Sequence, residues 1–220
     1  MKTYVYRVGS GRVRATPRLS KREMRKDRFR RPWAPYKHRE LFLYLIGLTL
    51  VLVCITPVPV YFWYRAQAER NFEVQAAQGK PTLTQVEDVE DQGRSVLSPN
   101  TAYDYGDAFP TSGPHDRDWF AAGFYDSPRA PTLLVSALEK GAIVIYYDKP
   151  QPLVIATLRD WASLFRGDRD GIIVVPHPGL GSETVLTAWD KRLRLSQFHP
   201  GAAAAFIDAF RGRGPGKHVR

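Results

Sequence analysis

The sequence predicts an α+β protein: a single transmembrane helix followed by an extracytoplasmic mixed-sheet domain with two packed helices. Three observations carry this reading. The stretch Leu41–Tyr64 runs 24 residues without a charged side chain. As a helix it is roughly 36 Å long, against about 30 Å of bilayer hydrocarbon. The charge of the chain is distributed unequally about that stretch. Beyond it, short β-branched apolar runs alternate with helical periodicity, over a length that suits one domain with its own core.

Residues 1–40 hold 14 Lys and Arg against 3 Asp and Glu, whereas residues 41–220 hold 18 against 19. Basic residues are retained on the cytoplasmic side of a membrane. The tail 1–40 is therefore expected in the cytoplasm and the C-terminal domain outside it, with 41–64 crossing the inner membrane once. Within the tail, Ser20 and Glu23 fit a capping box, which predicts a short helix from Lys21 to Arg30 ended by Pro32. Trp33 and Tyr36 precede the apolar run, where interfacial aromatics belong. A polybasic segment in this position suits anionic lipid or a partner subunit. It carries no nucleic-acid-binding motif, so nucleic acid is not an expected partner.

The apolar run contains Pro57 and Pro59. Proline removes helix hydrogen bonds, and a membrane helix tolerates that best against a neighbouring helix. Tyr61, Trp63 and Tyr64 form an outer aromatic belt. A cleaved signal peptide is the competing reading, with Ala66-Gln67-Ala68 as its cleavage site. The basic region and the apolar stretch are both too long for one. Cys54, the sole cysteine, lies within the run, so the outer domain has no internal disulfide.

Arg65 to Gln78 continues as a helical pattern stopped by Gly79, and residues 81–93 read as an acidic spacer. Residues 65–93 are thus a helical stalk and linker, and 94–211 the outer domain. Thr132–Ala137 and Ala142–Tyr147 read as strands around the turn Glu139-Lys140-Gly141. Val154, Leu158, Trp161, Ala162 and Phe165 share one face of a helix over 152–166. Residues 171–176, Thr184–Trp189 and Arg192–Ser196 are strands, the last two joined at Asp190-Lys191. Pro200 opens a final helix that Gly212 ends. Residues 212–220 are expected to form a flexible basic tail. The element order β-β-α-β-β-β-α calls for helices layered on a mixed sheet.

Three patches then carry a resemblance: Phe109–His115 (FPTSGPH), Leu133–Ile145 (LLVSALEKGAIVI) and Thr187-Ala188-Trp189. In order and spacing they resemble the bacterial domain of unknown function 3105 family, whose members are often membrane-anchored and extracytoplasmic. The family pattern runs PPxSGxH, LVHxLEHGxVVI and TAW. Its recurrent histidines imply a metal site, copper or another ion that favours imidazole. Only His115 is kept here. Ser136 and Lys140 stand where the pattern has its other two histidines, and a lysine ammonium opposes a metal. The resemblance implies the fold, and the departures imply that the metal chemistry has been lost.

No other constellation reads as catalytic. Ser112, His115 and Asp116 have the residue types of a hydrolase triad, but they fall almost consecutively in a proline-rich turn. Ser136 and Lys140 match no Ser–Lys motif. Pro178-Gly179-Leu180-Gly181 lacks the lysine of a phosphate loop. The expected protein is thus a non-catalytic accessory or scaffold subunit in a larger bacterial membrane complex. It would be hetero-oligomeric with integral membrane subunits, and have no cofactor. The alternative is an extracytoplasmic copper-binding or metal-delivery protein with His115 as a ligand.

Overall fold

The structure is a computed structural model; it describes residues 36–98 and 101–216, without the side chains of residues 36–38 and Cys54. The expected tail helix Lys21–Arg30 and the interfacial Trp33 lie outside the described residues. The chain divides into two compact units between Pro59 and Val60.

The first unit contains helix α1, Tyr36–Ile55. Pro57 and Pro59 have no N–H to offer the carbonyls of Val53 and Ile55. Accordingly α1 stops at Ile55, Thr56 is a turn, and α2 restarts over Pro57–Gly79. Thr56 ties the junction by donating its amide (2.9 Å) and its hydroxyl (2.8 Å) to the Leu52 carbonyl. The described residues contain one helical stretch long and apolar enough to cross a membrane, and it includes these residues.

The second unit is built on a six-stranded mixed sheet of order β1-β6-β5-β3-β4-β2. The strands are β1 (Glu87–Asp88), β2 (Gly123–Phe124), β3 (Ile143–Tyr147), β4 (Ile172–Pro176), β5 (Thr184–Ala188) and β6 (Lys191–Leu195). β2, β4 and β3 are parallel, while β5, β6 and β1 extend the sheet antiparallel. The helices are α3 (Pro131–Lys140), α4 (Pro152–Leu164) and α5 (Pro200–Phe210). Because side chains alternate along a strand, Ile143, Ile145 and Tyr147 face one side, with Leu158 and Trp161 of α4, Phe206 and Ile207 of α5, and Phe72 and Ala76 of α2. Val144 and Tyr146 face the other side, with Ile173, Val175, Val185 and α3. The mixed-sheet α+β class stands, with helices on both faces.

Four local readings change. Residues 132–137 are helical, where a strand was expected. Pro131 occupies the first helical turn, Leu134 and Leu138 recur at a helical interval toward the core, and Gly141 (φ 105°) closes the end. The Ala142 amide reaches back to the Ala137 carbonyl at 3.0 Å, and a Cβ on Gly141 would lie 2.6 Å from the Arg169 carbonyl oxygen. The end of α2, read as stalk, is in the core: Phe72 meets Trp161 and Phe165 edge-on at 5.6 and 4.8 Å. The acidic stretch is ordered against the basic strand β6. After a 3-10 turn over Lys80–Gln85, Glu87 and Asp88 pair with Arg192 and Lys191.

The fourth change concerns residues 212–216, expected to be flexible. They fold back on the end of α3, with the Gly212 amide on the Gly141 carbonyl (2.8 Å) and the Gly216 amide on that of Glu139 (3.2 Å). Glycine allows this approach, since a Cβ on Gly214 would fall 2.3 Å from the Glu139 carbonyl oxygen.

Candidate functional site

The segment Phe109–His115 is laid across the sheet face that also carries α3. Its supports are local and backbone-directed. Asp107 accepts the Phe109 amide at 2.9 Å, and its other oxygen pairs with Arg192 of β6. The Gly113 amide donates to the Gly93 carbonyl at 2.8 Å, and the His115 amide to that of Ser95 at 2.9 Å. Gly113 has φ 125°, and a Cβ there would stand 3.0 Å from the Tyr105 ring, so only glycine suits the position. Phe109 packs edge-on against Tyr146 of β3 at 5.0 Å and tilted against His177 at 4.7 Å.

These supports bring the three sequence patches together. Leu134 and Leu138 of α3, Phe109 of the loop and Trp189 after β5 belong to one apolar cluster. His115 is buried, with its ring perpendicular to that of Trp189 at 6.4 Å. Its Nδ1 lies 3.0 Å from the Gly113 carbonyl oxygen. A carbonyl only accepts, so Nδ1 carries the proton and, in the neutral ring, Nε2 holds the lone pair.

Ser136 is fully buried on α3, while Lys140, one turn on, places its ammonium 4.0 Å from the centre of the Trp119 ring. A transition-metal site needs three or four ligands. Among the described residues no group of three His, Cys, Asp or Glu side chains comes together. With a hydroxyl at 136 and an ammonium at 140, the residues present do not fit an imidazole metal centre.

The electrostatics serve the scaffold. Burial pushes the Asp107 carboxyl up, but the Phe109 amide and Arg192 outweigh it and hold the group below the usual carboxylate range. Burial raises Asp190, only partly offset by the neighbouring Ser112 hydroxyl. Burial also raises the Tyr105 and Tyr146 hydroxyls far above the ordinary phenol range. None of these groups is arranged as a nucleophile with its base.

The triad-like residues stay apart in their bonding. Ser112 accepts the Gln92 amide at 3.0 Å, and Asp116 accepts the Asp118 amide at 3.3 Å. The glycine-bearing loop after β4 is organised by Asp148, whose carboxylate accepts the amides of Gly179 and Gly181 at 3.2 and 3.1 Å. It is an anchored turn.

The chain matches the family described as "protein of unknown function (DUF3105)" over residues 97–220, more than half of its length. It belongs to the DUF3105 family. No curated protein and no solved structure matches it. The matched region begins just before the FPTSGPH loop and takes in α3, the sheet from β2 to β6, and α5. The DUF3105 portion therefore holds His115, Ser136 and Trp189 together with the apolar cluster that joins the loop to α3. Sequence reading found the three patches. It missed what holds them, because Asp107, Arg192 and Tyr105 lie outside the patches and act through long-range contacts.

Proposed function

We propose that this DUF3105 chain is a non-catalytic, single-pass accessory or scaffold subunit of a larger bacterial membrane complex. Leu41–Tyr64 lies in the inner membrane, the basic tail in the cytoplasm against anionic lipid or a partner subunit, and the sheet domain outside. One observation carries the reading. From Leu41 to Tyr64, 18 large apolar side chains are exposed, far more contiguous apolar surface than a soluble monomer leaves open.

Lipid alone covers side chains but satisfies no backbone group. The carbonyls of Val53 and Ile55 face prolines without N–H groups, and in hydrocarbon such groups need a protein neighbour. Partner helices supply that neighbour. A respiratory or photosynthetic electron-transport complex is the narrower form of the proposal. Purification in mild detergent followed by mass spectrometry tests it. Integral membrane subunits are expected to co-purify in fixed ratio, and a chain that runs alone as a monomer overturns the proposal.

A second reading, metal binding or delivery, draws on His115 alone. A histidine whose Nδ1–H is held by a carbonyl presents Nε2 as metal-ligating histidines do. Metal analysis of the wild-type chain and His115→Ala separates the two readings. Absence of metal from both removes the second one, and metal in the wild type alone would establish it.

A further inference from the structure

A cavity of about 280 Å³ opens at the carboxyl ends of the parallel strands β3 and β4, on the α3 side of the sheet, and His115 is not among its lining residues. Crevices outside the carboxyl ends of parallel strands are where open α/β sheets take ligands. Two rigid segments form its walls. One is Pro128-Arg129-Ala130-Pro131, leading into α3, and the other is Pro176-His177-Pro178, leaving β4. Four prolines make both walls stiff and apolar. Leu134 and Tyr146 line the cavity between them.

Two polar side chains in this lining each keep a nitrogen with no hydrogen-bond partner among the described residues. Arg129 is held over the faces of Tyr125 and Phe120, with its guanidinium carbon 4.5 and 5.1 Å from the ring centres. Its Nε is buried without a hydrogen-bond acceptor among the described residues, and Asp126, three residues earlier in the chain, pairs with Arg159. His177 packs tilted against Phe109, and its buried Nδ1 also has no hydrogen-bond partner among the described residues. A buried polar atom without a partner is costly. Here two side chains that each carry such an atom, one of them a fixed cation, line the same space.

We propose that this cavity binds a carboxylate carried on a small apolar body, with Arg129 and His177 holding the carboxylate and the proline walls enclosing the body. The donor count selects this class. A planar monoanion matches one guanidinium fork and one imidazole. A phosphate dianion calls for more donors than an apolar, proline-walled cleft supplies. The uncapped amino end of α3, with Pro131 in its first turn and no side chain capping it, adds a favourable dipole for an anion.

The test titrates the full chain in detergent micelles with sodium benzoate, with benzyl alcohol as neutral isostere and inorganic phosphate as dianion, followed by NMR. Benzoate is expected to give saturable shifts confined to residues around 129–134, 146 and 177. Benzyl alcohol gives none, and phosphate binds at least about tenfold more weakly. Arg129→Met is expected to weaken benzoate by about tenfold or more and His177→Phe, which keeps the packing against Phe109, by several-fold. If Arg129→Met does not fold, judged by loss of spectral dispersion, His177→Phe decides alone. Absence of saturation with benzoate, equal binding of benzyl alcohol, or wild-type affinity in every folded variant overturns the proposal.

Discussion

Gly79, the last residue of α2, and Gly201, in the first turn of α5, meet backbone to backbone. A Cβ on Gly79 would lie 1.8 Å from the Gly201 carbonyl oxygen. No rotamer relieves such a clash, since both parties are main chain. Gly79→Ala is therefore expected to destabilise the domain by about 3 kcal/mol, lowering its melting temperature by roughly 6–12 °C. Gly201→Ala meets only the His199 ring at 3.2 Å and the Gln75 carbonyl at 3.4 Å, and should cost about 1 kcal/mol. Thermal melts of the two variants check the order.

Asp107 joins the FPTSGPH loop to β6 through Arg192. Its carboxyl is held below the ordinary range when folded. The unfolded chain therefore binds this proton more tightly, and folding gains from ionisation. That gain is present above the ordinary carboxylate pKa and is lost as pH falls through the depressed folded value. Asp107→Asn should melt below wild type at neutral pH, with the gap closing under acid. A gap that does not change with pH would contradict this account.

The opposite sign applies at Asp190, which is raised by burial. Its contribution is full below the unfolded pKa and declines as pH rises through the folded one. It also sits at φ 57° in the two-residue connection between β5 and β6, a conformation that asparagine tolerates and valine does not. Asp190→Asn is expected to stabilise by about 0.5 kcal/mol at neutral pH, and Asp190→Val to destabilise by about 2 kcal/mol. Chemical denaturation at pH 7 gives both numbers.

Gly47 lies mid-way along α1, and among the described residues a Cβ there would meet nothing within 4 Å beyond its own stretch of helix backbone and its chain neighbours. Small residues in membrane helices mark close approach by a neighbouring helix. If the proposed membrane complex exists, Gly47→Leu should leave the melting of the sheet domain unchanged and reduce recovery of that complex in mild detergent by about tenfold. If recovery survives both this change and deletion of residues 1–40, the helix serves only as an anchor.

The sheet's antiparallel half was legible in the sequence because β5 and β6 are local, with apolar runs flanking a polar turn. The turn itself falls one residue earlier than the charges suggested, at Trp189-Asp190, since Ala188 pairs with Lys191. α3 was misread because Leu133, Leu134, Val135 and Ala137 make an apolar run broken only by Ser136, so its period is hard to see. Pro131 and Gly141 were the better signals. The error matters for the site. The expected strand and turn left Ser136 and Lys140 in different elements, whereas on α3 they are one turn apart, about 6 Å along the axis. The pairing of Glu87 and Asp88 with β6, and of the 129 and 177 segments around one cavity, is long-range. No window of sequence contains it.

The course of α2 has a mechanical consequence. Tyr64 is exposed and Phe72 is in the core, and both belong to one uninterrupted helix. They stand eight steps apart along the helix, about 12 Å. A tethered domain on a loose leash could sweep through a wide volume. This one has a short strut whose far end is wedged between Trp161 and Phe165. A force applied to the aromatic side chains at Tyr61–Tyr64 therefore passes along continuous helix into the core around Phe72, and a push on either is felt by the other.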